Sequence, residues 1–381
     1  MKKRRFLPYI VSLFLLTGCG SSGSIYSNFR DVADLLPVQT LGYDRVDGKV
    51  RLSVSSGRGT DELPTVILQG SGSSITEALE MVQDYSDWED LFFAHIRYVV
   101  VGEQAAREGL DELMDWFERI PQTRLDVPIF LVEGGDAASL VAGSGDKHEI
   151  TSVLHSLQRD AARRGFTVCY TLADVAKRLA EDDCALCSSV RSVEVGGHVP
   201  TSPEGKTALE SGFALLQDGV LTAFTGEDAA RGLCLLLNSA GTGRVELSDG
   251  QGGHATVELT ECRAENRAEF SPGGAAEDHI FLRCRAGIME IDSQLEPGEL
   301  LDTLDKAFSD WLAARVRGAL EVVKANGADI FSLEEQFTRL DAGRAALLSF
   351  PEDVKFFLGV DAKVERSYDL SAAENLHGGE M

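Results

Sequence analysis

The sequence predicts an α+β fold, with mixed, largely antiparallel sheets and packed helices in two to three subdomains. Three observations predict it. Stretches with a helical period and stretches with a period of two follow one another without regular βαβ alternation. Two turn signals, Asp47-Gly48 and Gln217-Asp218-Gly219, each join a pair of strand-like segments as a hairpin. The 381 residues are 44% hydrophobic and 25% charged, which is enough apolar material for one or two cores.

In chain order, Leu35 to Tyr43 is apolar and β-capable, and Lys49 to Ser55 alternates, with Val50, Leu52 and Val54 on one side. Ser74 to Tyr85 carries Ile75, Ala78, Leu79 and Val82 at helical spacing behind a Ser/Thr cluster that marks a helix start. Ala94 to Gly102 reads as a buried strand through Tyr98-Val99-Val100-Val101, entered by the charged His95-Ile96-Arg97. Helices follow from Glu103 to Ala106 or Glu108 and from Leu110 to Arg119, and Pro121 stops the second. Val127 to Glu133 is a strand, Gly134 to Glu149 a short helix, Leu172 to Ala180 an amphipathic helix and Val190 to Val195 a short strand. The Pro- and Gly-containing stretch Gly196 to Lys206 is the best candidate for a domain boundary.

Beyond it, Ser211 to Leu216 and Val220 to Phe224 form the second hairpin, and Thr225 to Leu237 is a helix. Thr242 to Asp249 and His254 to Cys262 are strands, Ser271-Pro272-Gly273-Gly274 is a bulge, turn or sub-boundary, and His279 to Ile291 holds the next strands. Pro297 to Asn326 is one long helix, with Leu300, Leu304, Phe308, Leu312, Val316 and Leu320 on one face, and Val354 to Val364 is the last strand. The expected units are 28–195, 206–270 and 274–370, with a frayed tail from 371 to 381.

Lys2, Lys3, Arg4 and Arg5 precede an apolar stretch from Phe6 to Leu16, the plan of a secretory signal peptide. It ends in Leu16-Thr17-Gly18-Cys19, which resembles the bacterial lipobox, so cleavage after Gly18 and diacylation of Cys19 are expected. Residues 19–27 would then be the lipidated cysteine and a flexible tether, and two acyl chains suffice for stable anchoring. The net charge is −25, becoming −29 without residues 1–18, which repels phosphate backbones and anionic headgroups, so nucleic acid is not an expected partner. No apolar run reaches 18 residues, which excludes a polytopic transporter.

Six further cysteines (Cys169, Cys184, Cys187, Cys234, Cys262, Cys284) read as scattered buried thiols with at most one disulfide. Cys184-Ala185-Leu186-Cys187 has the spacing of a zinc half-site or a redox pair, but nothing at the usual distance completes a metal site. No nucleophile elbow, zinc-protease helix or phosphate-binding loop is present. The seven histidines are dispersed; His148 and His155 alone are close, at a spacing of seven. No catalytic residue, metal or cofactor is therefore expected, and the chain reads as non-catalytic.

The segment His95-Ile-Arg-Tyr-Val-Val-Val-Gly102-Glu103, with Ala105, Gly109-Leu110, a helix ending at Arg119 and a further Arg124, resembles the Ger(x)C family. That family is the lipoprotein C subunit of GerA-type germinant receptors of endospore-forming bacteria. Arg30 to Leu35, Leu41-Gly42-Tyr43-Asp44, the hairpin with Gly212 and Gly219, Gly232-Leu233 in the following helix, and Asp329-Ile330-Phe331 continue the resemblance in the same order. Gly20-Ser21 stand where the family usually has Trp-Asp. The resemblance implies a non-catalytic subunit, lipid-anchored through Cys19 on the outer face of the spore inner membrane. It would trigger germination together with integral membrane A and B subunits. His95, Gly102, Glu103, Gly109, Arg119, Arg124, Gly212, Gly219 and Asp329 are its motif positions, expected to serve structure or an interface. The competing reading is an extracytoplasmic solute-binding lipoprotein of a transporter, which predicts two similar α/β lobes.

Overall fold

Tyr98-Val99-Val100-Val101 is apolar at four consecutive positions, so as a strand it needs cover on both faces. A computed structural model, which describes residues 35–56, 65–86, 90–143, 150–194 and 206–365, supplies that cover. The lipobox Leu16, Thr17 and Gly18, Cys19, the 19–27 tether, His148, His198 and the 371–381 tail lie outside the described residues.

The larger sheet has eight strands in the order β10-β9-β8-β7-β6-β2-β3-β4. They are β2 (Thr40–Val46), β3 (Lys49–Ser56), β4 (Val66–Gly72), β6 (Tyr98–Val101), β7 (Ile129–Glu133), β8 (Cys184–Glu194), β9 (Lys206–Gln217) and β10 (Val220–Phe224). The middle four, β8, β7, β6 and β2, are parallel, and antiparallel pairs flank them on both sides. Strands β1 (Leu35–Pro37) and β5 (Asp90–Phe92) form a small parallel pair. A continuous apolar run suits a doubly covered parallel strand, and this central parallel block is what the search for alternating patterns does not foresee.

Helices fill both faces of this sheet. Val99, Val101, Ile129 and Leu131 share one core with α1 (Ile75–Asp84), α2 (Glu103–Glu108), α3 (Asp111–Arg119) and α6 (Leu172–Asp182). Tyr98, Val100, Phe130 and Val132 face the other way, against α4 (Ala137–Gly143) and α5 (Ile150–Arg164). The helix expected over Gly134 to Glu149 is confined to α4 among the described residues. The helix α5, carrying His155, had no separate sequence signal strong enough to name. Helix starts follow the sequence: Ser74 accepts from the Glu77 N–H, and Thr171 makes a reciprocal capping box with Asp174.

The second sheet runs β11-β12-β13-β14, from β11 (Arg244–Ser248), β12 (His254–Phe270), β13 (Ala276–Asp292) and β14 (Lys355–Glu365). Helix α8 (Pro297–Ala325) lays Leu304, Phe308, Leu312, Val316 and Val323 on it, with α7 (Gly226–Leu236) alongside. A helix that was not foreseen, α9 (Leu333–Ala345), packs Leu333 and Phe337 over Ala276 and Val354 at one end. The fold is α+β, as expected.

Two expected boundaries need correction. Strands β8 and β9 pair from Cys184↔Gln217 to Glu194↔Lys206, so one sheet spans the Gly196–Lys206 stretch. The reason is burial: Cys184, Leu186, Phe213 and Leu215 face the second sheet while Ala185, Cys187, Ala214 and Leu216 face the first core. The expected break at Ser271 to Gly274 is likewise the turn of a hairpin, in which β12 and β13 pair from Phe270↔Ala276 to His254↔Asp292, and the 206–270 stretch contributes β9 and β10 to one sheet and β11 and β12 to the other. The same alternation separates Cys184 from Cys187 onto opposite faces, which removes the zinc half-site and redox readings. Burial pushes the Cys169, Cys184 and Cys234 thiols up to about 12, while Cys262 and Cys284 meet across β12 and β13 as a disulfide.

Glu210 on β9 is buried with neither carboxylate oxygen hydrogen-bonded among the described residues, and Arg164 of α5 stands 3.5 Å away. Burial pushes its carboxyl up to about 7, which Arg164 only partly offsets. A raised folded-state value makes the protonated form the stabilising one, so stability is lost as pH rises through about 7. Thermal unfolding is expected to shift down between pH 6 and pH 8, and Glu210→Gln is expected to remove about 1 kcal/mol of that pH-dependent loss. Equal pH dependence in the two proteins would contradict it.

Candidate functional site

The motif residues fall into two physically different groups. The first holds backbone together at the carboxyl ends of β2, β6 and β7. Asp44, buried inside β2 at the end of the Leu41–Asp44 segment, accepts from the Ala137 and Ala138 N–H groups at 2.8 Å each. It thereby caps α4, and Arg51 lies 3.3 Å from it. Burial still raises its carboxyl above the ordinary range, against those two donors and Arg51. Gly102 packs so tightly here that a Cβ would lie 2.0 Å from Asp44 Oδ1. Glu103 accepts from the Gly134 N–H at 2.7 Å and pairs with Arg107 at 2.8 Å. Burial opposes ionisation of Glu103, but those partners hold its carboxyl below the usual value.

Gly109 ends α2 at φ +115°, and the next N–H, from Leu110, donates to the Gly219 carbonyl in the β9–β10 turn. Gly212, at φ +123°, sits where β8 and β9 shift register, and a Cβ there would lie 2.7 Å from the Gly226 carbonyl oxygen. Asp329 accepts from the Leu333 and Glu334 N–H groups and caps α9. Residues beside it are clamped by Arg178 of α6, which donates to the Ile330 carbonyl at 2.6 Å and pairs with Asp182 at 2.7 Å. Gly102, Glu103, Gly109, Gly212, Gly219 and Asp329 thus each sit at a close backbone approach, a positive-φ turn or a hydrogen bond to the backbone. Arg178 reads in the sequence as one half of a helical i,i+4 pair with Asp182, and its reach to Ile330 and Ser332, about 150 residues away, gave no signal.

The second group is exposed. His95 belongs to a single 3-10 turn, Phe93–His95, and not to the strand, which starts at Tyr98. It lines an open cleft of about 630 Å³ together with Arg97, Tyr98, Arg124, His155 and Gln158, at the amino ends of β6 and β7. Arg124 is 61% exposed and pairs at 2.6 Å with Asp126, which lines the same cleft. Arg97 is exposed and has no ion-pair partner among the described residues. Tyr98 donates to Gln158 at 2.8 Å, with His155 Nδ1 3.2 Å from the same oxygen. Arg119 stands elsewhere on the surface, 75% exposed and paired with Asp115 one turn away. The structure therefore brings His95 and Arg124 together and leaves Arg119 apart. The cleft offers guanidinium and imidazole groups on a chain of charge −25, an arrangement suited to holding carboxylates or phosphates.

Comparison with known proteins places this geometry. Residues 28–191 match the family model for the spore germination protein N-terminal domain, and residues 211–367 match the one described as spore germination B3/GerAC like, C-terminal. The chain belongs to the Ger(x)C family. Among Ger(x)C relatives, it is 27% identical to spore germination protein KC of Bacillus subtilis (strain 168) over 192 residues, 46% of this chain. That match spans 45% of the relative, less than half its length. It is 24% identical to the putative spore germination protein YfkR of the same organism over 309 residues, 77% of this chain and 76% of the relative. The crystal structure of the GerBC protein superposes with a TM-score of 0.56 at 14% identity, covering 85% of this chain and 96% of that one, which shows a shared fold. Both Ger(x)C family models keep to their own side of residues 192–210, although the β8–β9 pairing crosses that interval.

The two groups predict opposite mutational outcomes. Gly102→Ala forces Asp44 off the α4 terminus and is expected to cost about 1–3 kcal/mol in a urea melt. Arg119→Ala removes one exposed i,i+4 pair and is expected to stay within about 0.5 kcal/mol.

Proposed function

We propose that this Ger(x)C chain is a non-catalytic C subunit of a nutrient germinant receptor, anchored through a diacylated Cys19 and working with integral membrane A and B subunits on the outer face of the spore inner membrane. The observation that carries the reading is the match of both Ger(x)C family models, in order, to 28–191 and 211–367. The Leu16-Thr17-Gly18-Cys19 sequence supplies a way to reach a membrane, and among the described residues no helix is long and apolar enough to cross one. An anchor of two acyl chains holds the body within tether's reach of membrane partners, so a weak contact becomes well populated. In this reading the cleft of His95, Arg97 and Arg124 meets an anionic segment of those partners, and the buried glycine motifs keep the cleft in place.

Cys19→Ala is expected to move the protein from the membrane pellet to the supernatant after a high-salt wash; retention in the pellet would sink the anchor. Deletion of the gene is expected to abolish germination, read as loss of refractility, in response to one nutrient of a panel of amino acids, sugars and bile salts, at normal spore yield. The wild-type gene should restore it. Arg97→Glu with Arg124→Glu should fold with an unchanged unfolding temperature yet fail to restore the response. A full response from the double charge reversal would remove the cleft from the contact.

A further inference from the structure

The inward face of β13 reads Ala276, Asp278, Ile280, Leu282, Cys284, Ala286 and Ile288, so a single carboxylate stands in a row of apolar side chains. Asp278 is only 2% exposed. One of its oxygens accepts from Asn266 Nδ2 at a long 3.3 Å, and the other has no donor among the described residues. A buried carboxylate with so few donors is costly to ionise, and burial pushes this one up to about 6. Asn266 Nδ2 lies 3.3 Å from Gln336 Oε1 as well, so Asp278 shares even that donor.

Asp278 lines a half-enclosed cavity of about 510 Å³ at the seam where α6 and β8 of the first sheet meet β12 and β13 of the second. The volume is that of a small-molecule site, and polar and apolar side chains share its walls about evenly. Leu186, Leu237, Ile280 and Phe331 supply the apolar wall. Tyr170 also lines it, and its hydroxyl has no hydrogen-bond partner among the described residues. Two cations line the cavity, and neither pairs with Asp278: Arg178 is held by Ile330 and Asp182, and Lys177 lies 4.0 Å from Glu181. A buried carboxylate that the cavity's own cations leave unpaired is complemented by a cation brought from outside.

We propose that this seam cavity binds a small organic cation, an amine on an apolar body, with the ammonium on the Asp278 carboxylate and the body against Leu186, Leu237, Ile280 and Phe331. The overall charge of −25 raises the local concentration of such a ligand. Because the cavity walls come from both sheets, an occupant tightens the seam that Arg178 already clamps. The proposal is independent of the anchor and of the receptor partners.

The test is isothermal titration of the purified full chain with 2-phenylethylamine and with its neutral isostere 2-phenylethanol. Saturable one-to-one binding of the amine is expected, with the alcohol weaker by on the order of tenfold or more, since a charge-assisted hydrogen bond is lost. Asp278→Asn, checked for native circular dichroism, is expected to weaken the amine on the order of ten- to a hundredfold and to leave the alcohol unchanged. Leu237→Trp, which fills the cavity without touching Asp278, should block both ligands and provides the second variant if Asp278→Asn does not fold. Equal affinity for amine and alcohol, amine binding unaffected by either substitution, or no saturable amine binding would overturn the proposal.

Discussion

The β8–β9 pair is the constraint on which the rest of the molecule depends. Its side chains alternate, so one face closes the core under the eight-stranded sheet and the other closes the core over the four-stranded sheet. A register slip of one residue would exchange the two sets and expose both cores at once. Gly212, in a backbone conformation open to glycine, sets that register where Ser211 is accommodated as the extra residue between Ser189 and Val190. Neither sheet can therefore be removed from the other without uncovering Leu186, Phe213 and Leu215.

Polar links repeat the same connection at the seam's edge. Arg178 reaches from α6 to the Ile330 carbonyl, and Ser332 donates to Asp182, so the segment that Asp329 caps is tied back to the first sheet. The seam is thus apolar at its centre and hydrogen-bonded at its rim, with the Asp278 cavity between the two. On the opposite concern, contact with other molecules, the fold is asymmetric. Its buried motif residues serve the backbone, while the guanidinium groups of Arg97 and Arg124 stand in an open cleft of an otherwise acidic protein. Arg97 stands just ahead of β6 and Arg124 in the irregular segment between α3 and β7, so the two cations converge from separate parts of the chain.

Much of the local structure was legible. The caps at Ser74 and Thr171, the Asp47-Gly48 and Asp218-Gly219 turns and the long amphipathic face of α8 each rest on interactions within a few residues. Their stabilising partners are written next to them, so the sequence shows both halves. What was missed has its other half far away. The Gly- and Pro-containing stretch after β8 looks like a linker because nothing local says that β9 will pair back on β8. His95 looked like strand because Ile96 and Tyr98 continue an apolar pattern, yet the chain turns once before β6 begins. Helix α9 escaped because its anchor, Phe337 on Phe270 and Phe350, is tertiary.

By itself, the sequence determined the α+β class, most helix and strand positions and the family, since these follow from periodicity, turn chemistry and the order of short motifs. It also marked which positions matter without saying why. Only the tertiary structure decided that Gly102 is required by the Asp44 carboxylate, that His95 and Arg124 share a cleft, and that Asp278 faces a cavity instead of solvent. The physical reason is that these properties are distances and burials between strands far apart in the chain. A carboxylate on a strand reads the same whether its face meets water or a second sheet, and only the packing of β12 and β13 against α6 and β8 distinguishes the two.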